Sequence, residues 1–389
     1  MVDTGIRSSH ADMGSNTLNP AVAGGWNFGN NVPLSTYPNG DGHGTAVAGI
    51  IGARCNNSLG VAGIAGGDNT LGAGVRLYDM TVLQRFPNSP VTVIPASAVA
   101  SAVVEGAMGW VRSTYGNKLW VINISLGSAN RSLGHAVRTC YQNSVVLTAS
   151  RGNSGDAASG NPLSYPACFP DEWVMSVSAC GTDGQIKRPG TGGPLDPTDN
   201  NYTSSYGAGI DVMAPGTKRL IRTTGNASNS SYVGFNGTSP AAPHVAGVAS
   251  LLLSYHNPTA AMAGLEAEDV EQIIQRTASD REKDINNVTL PRGYDYYSRW
   301  GLLDANKALG FIDQYTYQID HTYGVLTPAT RGTLPPGCTL TLVAANQTLE
   351  LDEPYDGVYL RSYGVDVYRL TATFPYQRSS NLAAEILNA

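Results

Sequence analysis

The chain has 389 residues, enough for one large domain with a well-buried core and a smaller one beside it. Charged residues make up only 14%, apolar residues 42%, and there are 45 glycines, a globular, loop-rich composition that excludes the disordered and coiled-coil classes. A net charge of −6 without a long run of like charges argues against a nucleic-acid partner or an anionic membrane surface.

The chain opens on Met1-Val2-Asp3-Thr4-Gly5, an Asp where a strand would end in a tight turn. In isolation this reads as an ordinary Asp turn. Next comes Asp41-Gly42-His43-Gly44-Thr45, leading into a small-residue helix from Ala46 to Ala53. The flanking glycines let the backbone pass close to other groups and expose the imidazole at a helix start. Strand-like runs follow at Val75–Tyr78, Leu119–Ile124, Val145–Ala149 and Trp173–Val177, with helices between them at Ala98–Val111 and Leu133–Gln142. The most apolar stretch, Val91 to Val111, is interrupted by Pro95 and Glu105 and reads as a core helix, so no membrane span is expected. Alternating strands and helices predict a parallel sheet covered on both faces, with the active site beyond the carboxyl ends of the strands.

A Pro- and Gly-rich insertion, Lys187 to Asn201, is expected as a surface loop. Gly237-Thr238-Ser239-Pro240-Ala241-Ala242-Pro243-His244 then leads into the apolar run Val245–Leu253, placing Ser239 at a helix N-terminus. Taken alone, Ser239 could be merely a cap. A helix is also expected at Glu266–Ala278, and Leu303–Leu309 is expected to close the domain. From 313 to 389 the sequence turns to Thr, Tyr, Val and Leu, notably at Thr339–Val343 and Val358–Phe374, and reads as a small β-rich C-terminal domain after a domain spanning 1–312.

Orienting carboxylate, base and nucleophile are what acyl transfer requires, and Asp3, His43 and Ser239 supply them in that order. The three blocks, Asp-Thr-Gly, His-Gly-Thr and Gly-Thr-Ser-x-Ala-x-Pro-His, resemble those of the subtilisin-like serine peptidases, the subtilase family, over residues 1 to about 312. The resemblance implies an α/β fold with a mostly parallel central sheet, and serine endopeptidase activity on protein or peptide substrates with no catalytic cofactor. It also implies that Ser125-Leu126-Gly127 pairs with the substrate backbone as an added strand. Ser150 and Gly152 would line the opposite wall of the primary pocket, Asn153 would donate to the oxyanion, and Ser164 would stand at the pocket base. A monomer, secreted or at the cell surface, is the corresponding expectation.

Departures from the family pattern raise further expectations. Arg151 replaces a usual Ala and either points into solvent, the reading we put first, or favours acidic substrates. Pro240 replaces a frequent Met. Cys55 to Val61 resembles the loop that wraps a structural calcium, with oxygen from Asp12, Asn57 and the carbonyls of Cys55, Leu59 and Val61, although the family's N-terminal ligand has no counterpart. A calcium site and a plain loop both stay open. Of five cysteines, Cys140, Cys168 and Cys180 are placed where one bridge could form. Only Met1 and Val2 precede Asp3, and no signal peptide or pro-segment is seen. The expectation is therefore a chain begun inside a longer secreted precursor, with Asp3 on a fraying end. Two rivals stand: an inactive subtilase scaffold serving as a binding module, and an α/β-hydrolase esterase. The second carries Gly-x-Ser-x-Gly and a late His, whereas His43 precedes Ser239 here.

Overall fold

A two-residue strand ending in Asp3 occupies the middle of a parallel sheet. The computed structural model describes residues 1–310 apart from 15–18, 37–39, 69–71, 106–108, 110–120, 157, 171–172, 190–198, 200–201, 208, 257–264 and 291–294, and beyond them five strands between 315 and 374. In chain order the strands are β1 (Val2–Asp3), β2 (Val22–Asn27), β3 (Leu77–Thr81), the short pair β4 (Gln84–Arg85) and β5 (Thr92–Val93), β6 (Val121–Ile124), β7 (Val146–Ser150), β8 (Met175–Cys180), β9 (Val212–Pro215), β10 (Arg222–Thr224) and β11 (Tyr232–Gly234). The helices used below are α1 (Gly42–Gly52), α2 (Ala96–Val104), α3 (Gly134–Gln142), α4 (Thr238–His256), α5 (Ala267–Thr277) and α6 (Ala305–Gly310).

Seven strands form one sheet in the order β2-β3-β1-β6-β7-β8-β9, every neighbouring pair parallel. Side chains alternate between its faces, as the pleat requires. Ile122, Ile124, Leu147 and Ala149 pack with Val99 and Val103 of α2 and Val137 of α3 on one face. Val146, Val177, Val212 and Ala214 pack with Val245, Val248 and Leu252 of α4 and Ile273 of α5 on the other. Each of the buried Val, Leu and Ile side chains contributes about 1.5–3 kcal/mol relative to exposure. The expected α/β fold with a mostly parallel sheet is what these residues build. Strand β3 begins two residues later than the Val75–Tyr78 run, because Leu77 is where pairing with Val22 starts. The end of the expected Ala98–Val111 helix and the start of the Leu119–Ile124 strand lie outside the described residues.

Three expectations are corrected. Asp3 does not sit on a fraying end: it is fully buried, its carbonyl accepts from Val82 N at 2.8 Å, and Val2 pairs with both Met80 and Ile124. Lys187, expected in a surface loop, is completely buried. Its ammonium donates to the carbonyls of Arg188 (2.9 Å) and Tyr202 (3.1 Å) and lies 4.3 Å from the centre of the Tyr202 ring, which offsets part of its desolvation. Burial still pushes its pKa down to about 8. Finally, Cys55, Cys140, Cys168 and Cys180 are all free. Cys140 packs among α2 and α3, Cys180 packs with Ile186 and Met213 in a separate cluster, and Cys168 Sγ accepts from Ser164 N at 3.3 Å. Cys338 lies outside the described residues.

The expected β-rich tail carries β12 (Tyr315–Asp320), β13 (Thr339–Leu342), β14 (Leu349–Asp352), β15 (Tyr359–Ser362) and β16 (Arg369–Phe374). They pair antiparallel in two small sheets, β12-β16-β13 and β14-β15.

Candidate active site

The Asp-Thr-Gly and His-Gly-Thr blocks are stitched together by short polar side chains. Asp41 caps α1, its carboxylate accepting from His43 N at 3.0 Å. Thr4 Oγ1 donates to that same Asp41 carboxylate (2.9 Å) and accepts from Gly44 N (3.0 Å), so β1 and the start of α1 are locked face to face. The approach is close: a Cβ on Gly44 would stand 2.5 Å from the Gly5 carbonyl oxygen, and Gly5 itself needs φ +113°. This lock brings His43 Nδ1 to 2.7 Å from Asp3 Oδ1, which also accepts from Thr4 N at 2.7 Å. A carboxylate only accepts, so Nδ1 carries the proton and Nε2 is left as the basic nitrogen. Burial pulls the His43 pKa down, but the Asp3 charge, the Asp3 hydrogen bond and the Asp41 charge outweigh it and hold the imidazole above its ordinary value. Phe235 stacks edge-on against the ring at 5.3 Å.

Ser239 lies in the first turn of α4 rather than at its cap, because the helix begins at Thr238. Pro240 is accommodated there since first-turn N–H groups have no intrahelical partner. Pro243, four residues beyond Ser239, has no N–H to give the Ser239 carbonyl. Ser125 Oγ donates to that freed carbonyl at 2.8 Å, while the Ser239 hydroxyl donates to the Ser125 carbonyl at 3.2 Å. Behind this pair, Thr148 Oγ1 donates to Asn123 Oδ1 and Asn123 Nδ2 donates to Ser125 Oγ, a buried relay across the ends of β6 and β7. His43 bonds Asp3 at the end of β1 and Ser239 bonds Ser125 just past the end of the parallel neighbour β6, so both helix starts lie at the carboxyl end of the sheet.

Asn153 is exposed just beyond β7. Thr238 N (2.8 Å) and Thr238 Oγ1 (3.2 Å) both donate to its side-chain oxygen, and Thr238 Oγ1 accepts from Gly152 N (3.0 Å). The backbone N–H of Thr238 can only donate, so the amide nitrogen of Asn153 must face outward beside the nucleophile turn. Ser164 stands opposite Gly127: a Cβ on Gly127 would fall 2.1 Å from Ser164 Oγ, and one on Gly152 would be 3.7 Å from Ser164 Cβ. Gly127, Gly152 and Ser164 thus lie together. Ser150 is buried in β7, and Leu126 is half-buried beside Ser125.

The subtilase family profile matches residues 1–295. The chain belongs to the subtilase family. It is 35% identical to subtilisin DY of Bacillus licheniformis over 283 residues, spanning 72% of this chain and 82% of that one. Against thermitase of Thermoactinomyces vulgaris it is 34% identical over 281 residues, 72% and 79% of the two chains. Among solved structures, a cold-adapted subtilisin-like serine proteinase covers 74% of this chain and 85% of its own with a TM-score of 0.51 at 26% identity. A protease from Pseudoalteromonas arctica covers 79% and 88% with a TM-score of 0.53 at 25% identity. The chain is accordingly a serine-type endopeptidase, a hydrolase. Among the described residues no helix is long and apolar enough to cross a membrane.

Two expectations around this subtilase site are altered. Arg151 does not reach solvent; it is 2% exposed, with its guanidinium donating to the carbonyls of Pro162 (3.4 Å) and Tyr206 (3.3 Å) behind the pocket wall. In the expected calcium loop the Asp12 carboxylate faces hydrogen-bond donors. Asn57 turns its amide nitrogen to Asp12 Oδ1 (2.7 Å), Val61 turns its N–H to Asp12 Oδ2 (2.8 Å), and the Asn57 oxygen accepts from Leu59 N (3.0 Å). Cys55 Sγ lies 3.6 Å from the Gly63 carbonyl. Donors facing the carboxylate do not fit a hard cation, which requires oxygens there. Among the described residues no group of three or more His, Cys, Asp or Glu could hold a metal.

Thr4 and Asp41 stand inside the two motif blocks, where only the neighbouring Asp3 and His43 had been given roles. Asn123, Thr148 and the Ser125 hydroxyl also carry the site's framework, and their signal is a polar residue at a position the strand pattern would bury.

Proposed function

We propose that the chain cleaves peptide bonds through an acyl-enzyme formed on Ser239. The observation that carries this reading is the buried Asp3 carboxylate, 2.7 Å from Nδ1 of an imidazole whose other nitrogen stays basic, at the sheet end where Ser239 bonds the Ser125 carbonyl. His43 Nε2 takes the proton as Ser239 Oγ leaves the Ser125 carbonyl and attacks the substrate carbonyl. Asp3 holds the imidazole's tautomer and stabilises the imidazolium. The developing oxyanion is met by the outward amide of Asn153 and the Ser239 backbone N–H. His43 then gives its proton to the leaving amine, and water repeats the sequence to release the acid and restore Ser239.

An extended peptide would add as a strand along Ser125, Leu126 and Gly127, with its primary side chain between Gly127 and the wall formed by Ser150 and Gly152. Ser164 Oγ facing Gly127 shortens that pocket, which favours small to medium side chains. Arg151 is turned away, so acidic residues gain nothing there. In this reading the peptidase domain spans 1–312, the tail from 313 to 389 is a separate small β domain, and the enzyme works as a secreted or cell-surface monomer. The decisive experiment is labelling with a fluorophosphonate probe alongside casein hydrolysis. Both should be lost together in Ser239→Ala; persistence of either removes Ser239 from the reaction.

A further inference from the structure

The nucleophile turn is gripped from behind by a tyrosine that the reaction itself does not use. Tyr202 Oη donates to the Gly216 carbonyl and accepts from Gly237 N at 3.2 Å. That same Gly237 N–H also reaches the Gly216 carbonyl at 3.1 Å, so three groups close a small knot immediately before Thr238 and Ser239. There is no room in it for a side chain: a Cβ on Gly216 would stand 2.9 Å from both the Gly237 carbonyl oxygen and Tyr202 Oη. Gly237 holds φ +108°, a conformation only glycine takes readily.

The grip leads directly to the oxyanion donor. The residue after Gly237 is Thr238, whose N–H and hydroxyl fix the Asn153 side-chain oxygen and thereby aim its amide nitrogen outward. The phenol is held at both ends. Burial pushes its pKa upward, so it stays a donor throughout the neutral and alkaline range. The buried Lys187 ammonium, 4.3 Å from the ring centre, pins the ring's face and bonds the Tyr202 carbonyl. A ring filling space alone would need no hydroxyl at this point.

We propose that Tyr202, seated on Lys187, is a positioning residue for the oxyanion donors, acting through Gly237 and Thr238 on Asn153. This rests on the acyl-transfer reading above. Its consequence is specific: Tyr202 should matter only while there is an Asn153 amide to aim.

The test is a double-mutant cycle on the full chain, with kcat and KM read on a chromogenic peptide and unfolding followed in parallel. Tyr202→Phe keeps the ring and its lysine contact, so the unfolding midpoint should hold. Its kcat should fall about three- to tenfold, the reach of one hydrogen bond, with KM within about twofold. In the Asn153→Ala background the same change should lower kcat less than about twofold. An equal kcat loss in both backgrounds, or an unchanged kcat in Tyr202→Phe, overturns the proposal. Ser239→Ala is measured beside them: if turnover survives it, the acyl-transfer reading falls whatever Tyr202 does.

Discussion

Asp3 and Asp12 are both fully buried aspartates, yet they sit in opposite kinds of surroundings. Asp12 has both oxygens occupied by groups that cannot change protonation, the Asn57 amide and the Val61 N–H. Asp3 has one oxygen on Thr4 N and His43 Nδ1, while Oδ2 is buried without a hydrogen-bond partner among the described residues. A closed cluster of fixed donors is a staple. A carboxylate held against an imidazole can respond when a proton moves. The contrast predicts that substitutions around Asp3 alter turnover and those around Asp12 alter stability.

The largest effects test the first half. Ser239→Ala should abolish casein hydrolysis with the fold intact. Asp3→Asn should lower kcat by roughly 3 × 10⁴, the figure known for loss of the triad Asp of subtilisin itself. Asp12→Asn should leave kcat unchanged within about twofold. If Asp12→Asn cuts turnover as deeply as Asp3→Asn, the two clusters are not distinct in kind.

Next comes Asn153→Ala. Its oxygen is held by Thr238 and its nitrogen is open, so the loss should fall on kcat, roughly 10²–10³ as for the oxyanion Asn of subtilisin, with KM little moved. A raised KM with kcat preserved would make Asn153 a substrate-binding residue instead.

The pH profile sharpens the comparison further. His43 must be neutral to act as base, and Asp3 with Asp41 hold its pKa above the ordinary value of about 6.5 despite burial. The acid limb of kcat/KM should therefore have its midpoint above that value, and Asp3→Asn should move it down. Stability runs the other way. Because the folded pKa exceeds the unfolded one, the pair's contribution is complete below the unfolded value and fades as pH rises through the folded one. An acid limb below the unperturbed value in the parent chain would contradict the Asp3–His43 pairing.

The legible part of this molecule is the part where one residue type can do one job. Asp3, His43 and Ser239 stand out in the sequence because acyl transfer needs those groups, and Asn153 through the family resemblance; the structure brings Asp3 against His43, and the neighbouring Gly5, Gly44 and Gly237 are forced by close approach or positive φ. The strands from β6 to β8 were readable from apolar runs to within three residues. What was not readable depends on partners far away in sequence: Ser125 on the Ser239 carbonyl, Thr238 on Asn153, Lys187 under Tyr202. Arg151 and Lys187 were misplaced for one reason. A cation among loop residues suggests solvent, and only the fold supplies the carbonyls that let each be buried. Ser164→Gly probes the pocket: removing the hydroxyl opposite Gly127 should raise kcat/KM for aromatic over small primary side chains by several-fold, and an unchanged ratio would place Ser164 outside the pocket.

The smallest effect belongs to the Asp12 staple, and it separates two explanations of the same loop. A calcium site needs oxygen facing Asp12; the loop here faces it with Asn57 Nδ2 and Val61 N, and the Asn57 oxygen is already committed to Leu59 N. Binding an ion would require the amide to reverse and the Val61 N–H to turn away, breaking three hydrogen bonds before any ligand bond forms. Excess chelator should therefore leave the unfolding midpoint of the parent within about one degree, whereas Asp12→Ala, by orphaning two half-buried donors, should destabilise it by about 1 kcal/mol. The comparison that decides is calcium against chelator in both proteins. A calcium-dependent rise of several degrees in the parent that vanishes in Asp12→Ala would show that Asp12 holds an ion and that the staple is a metal loop. A shift of equal size in both would place any ion elsewhere and leave the hydrogen-bonded staple standing.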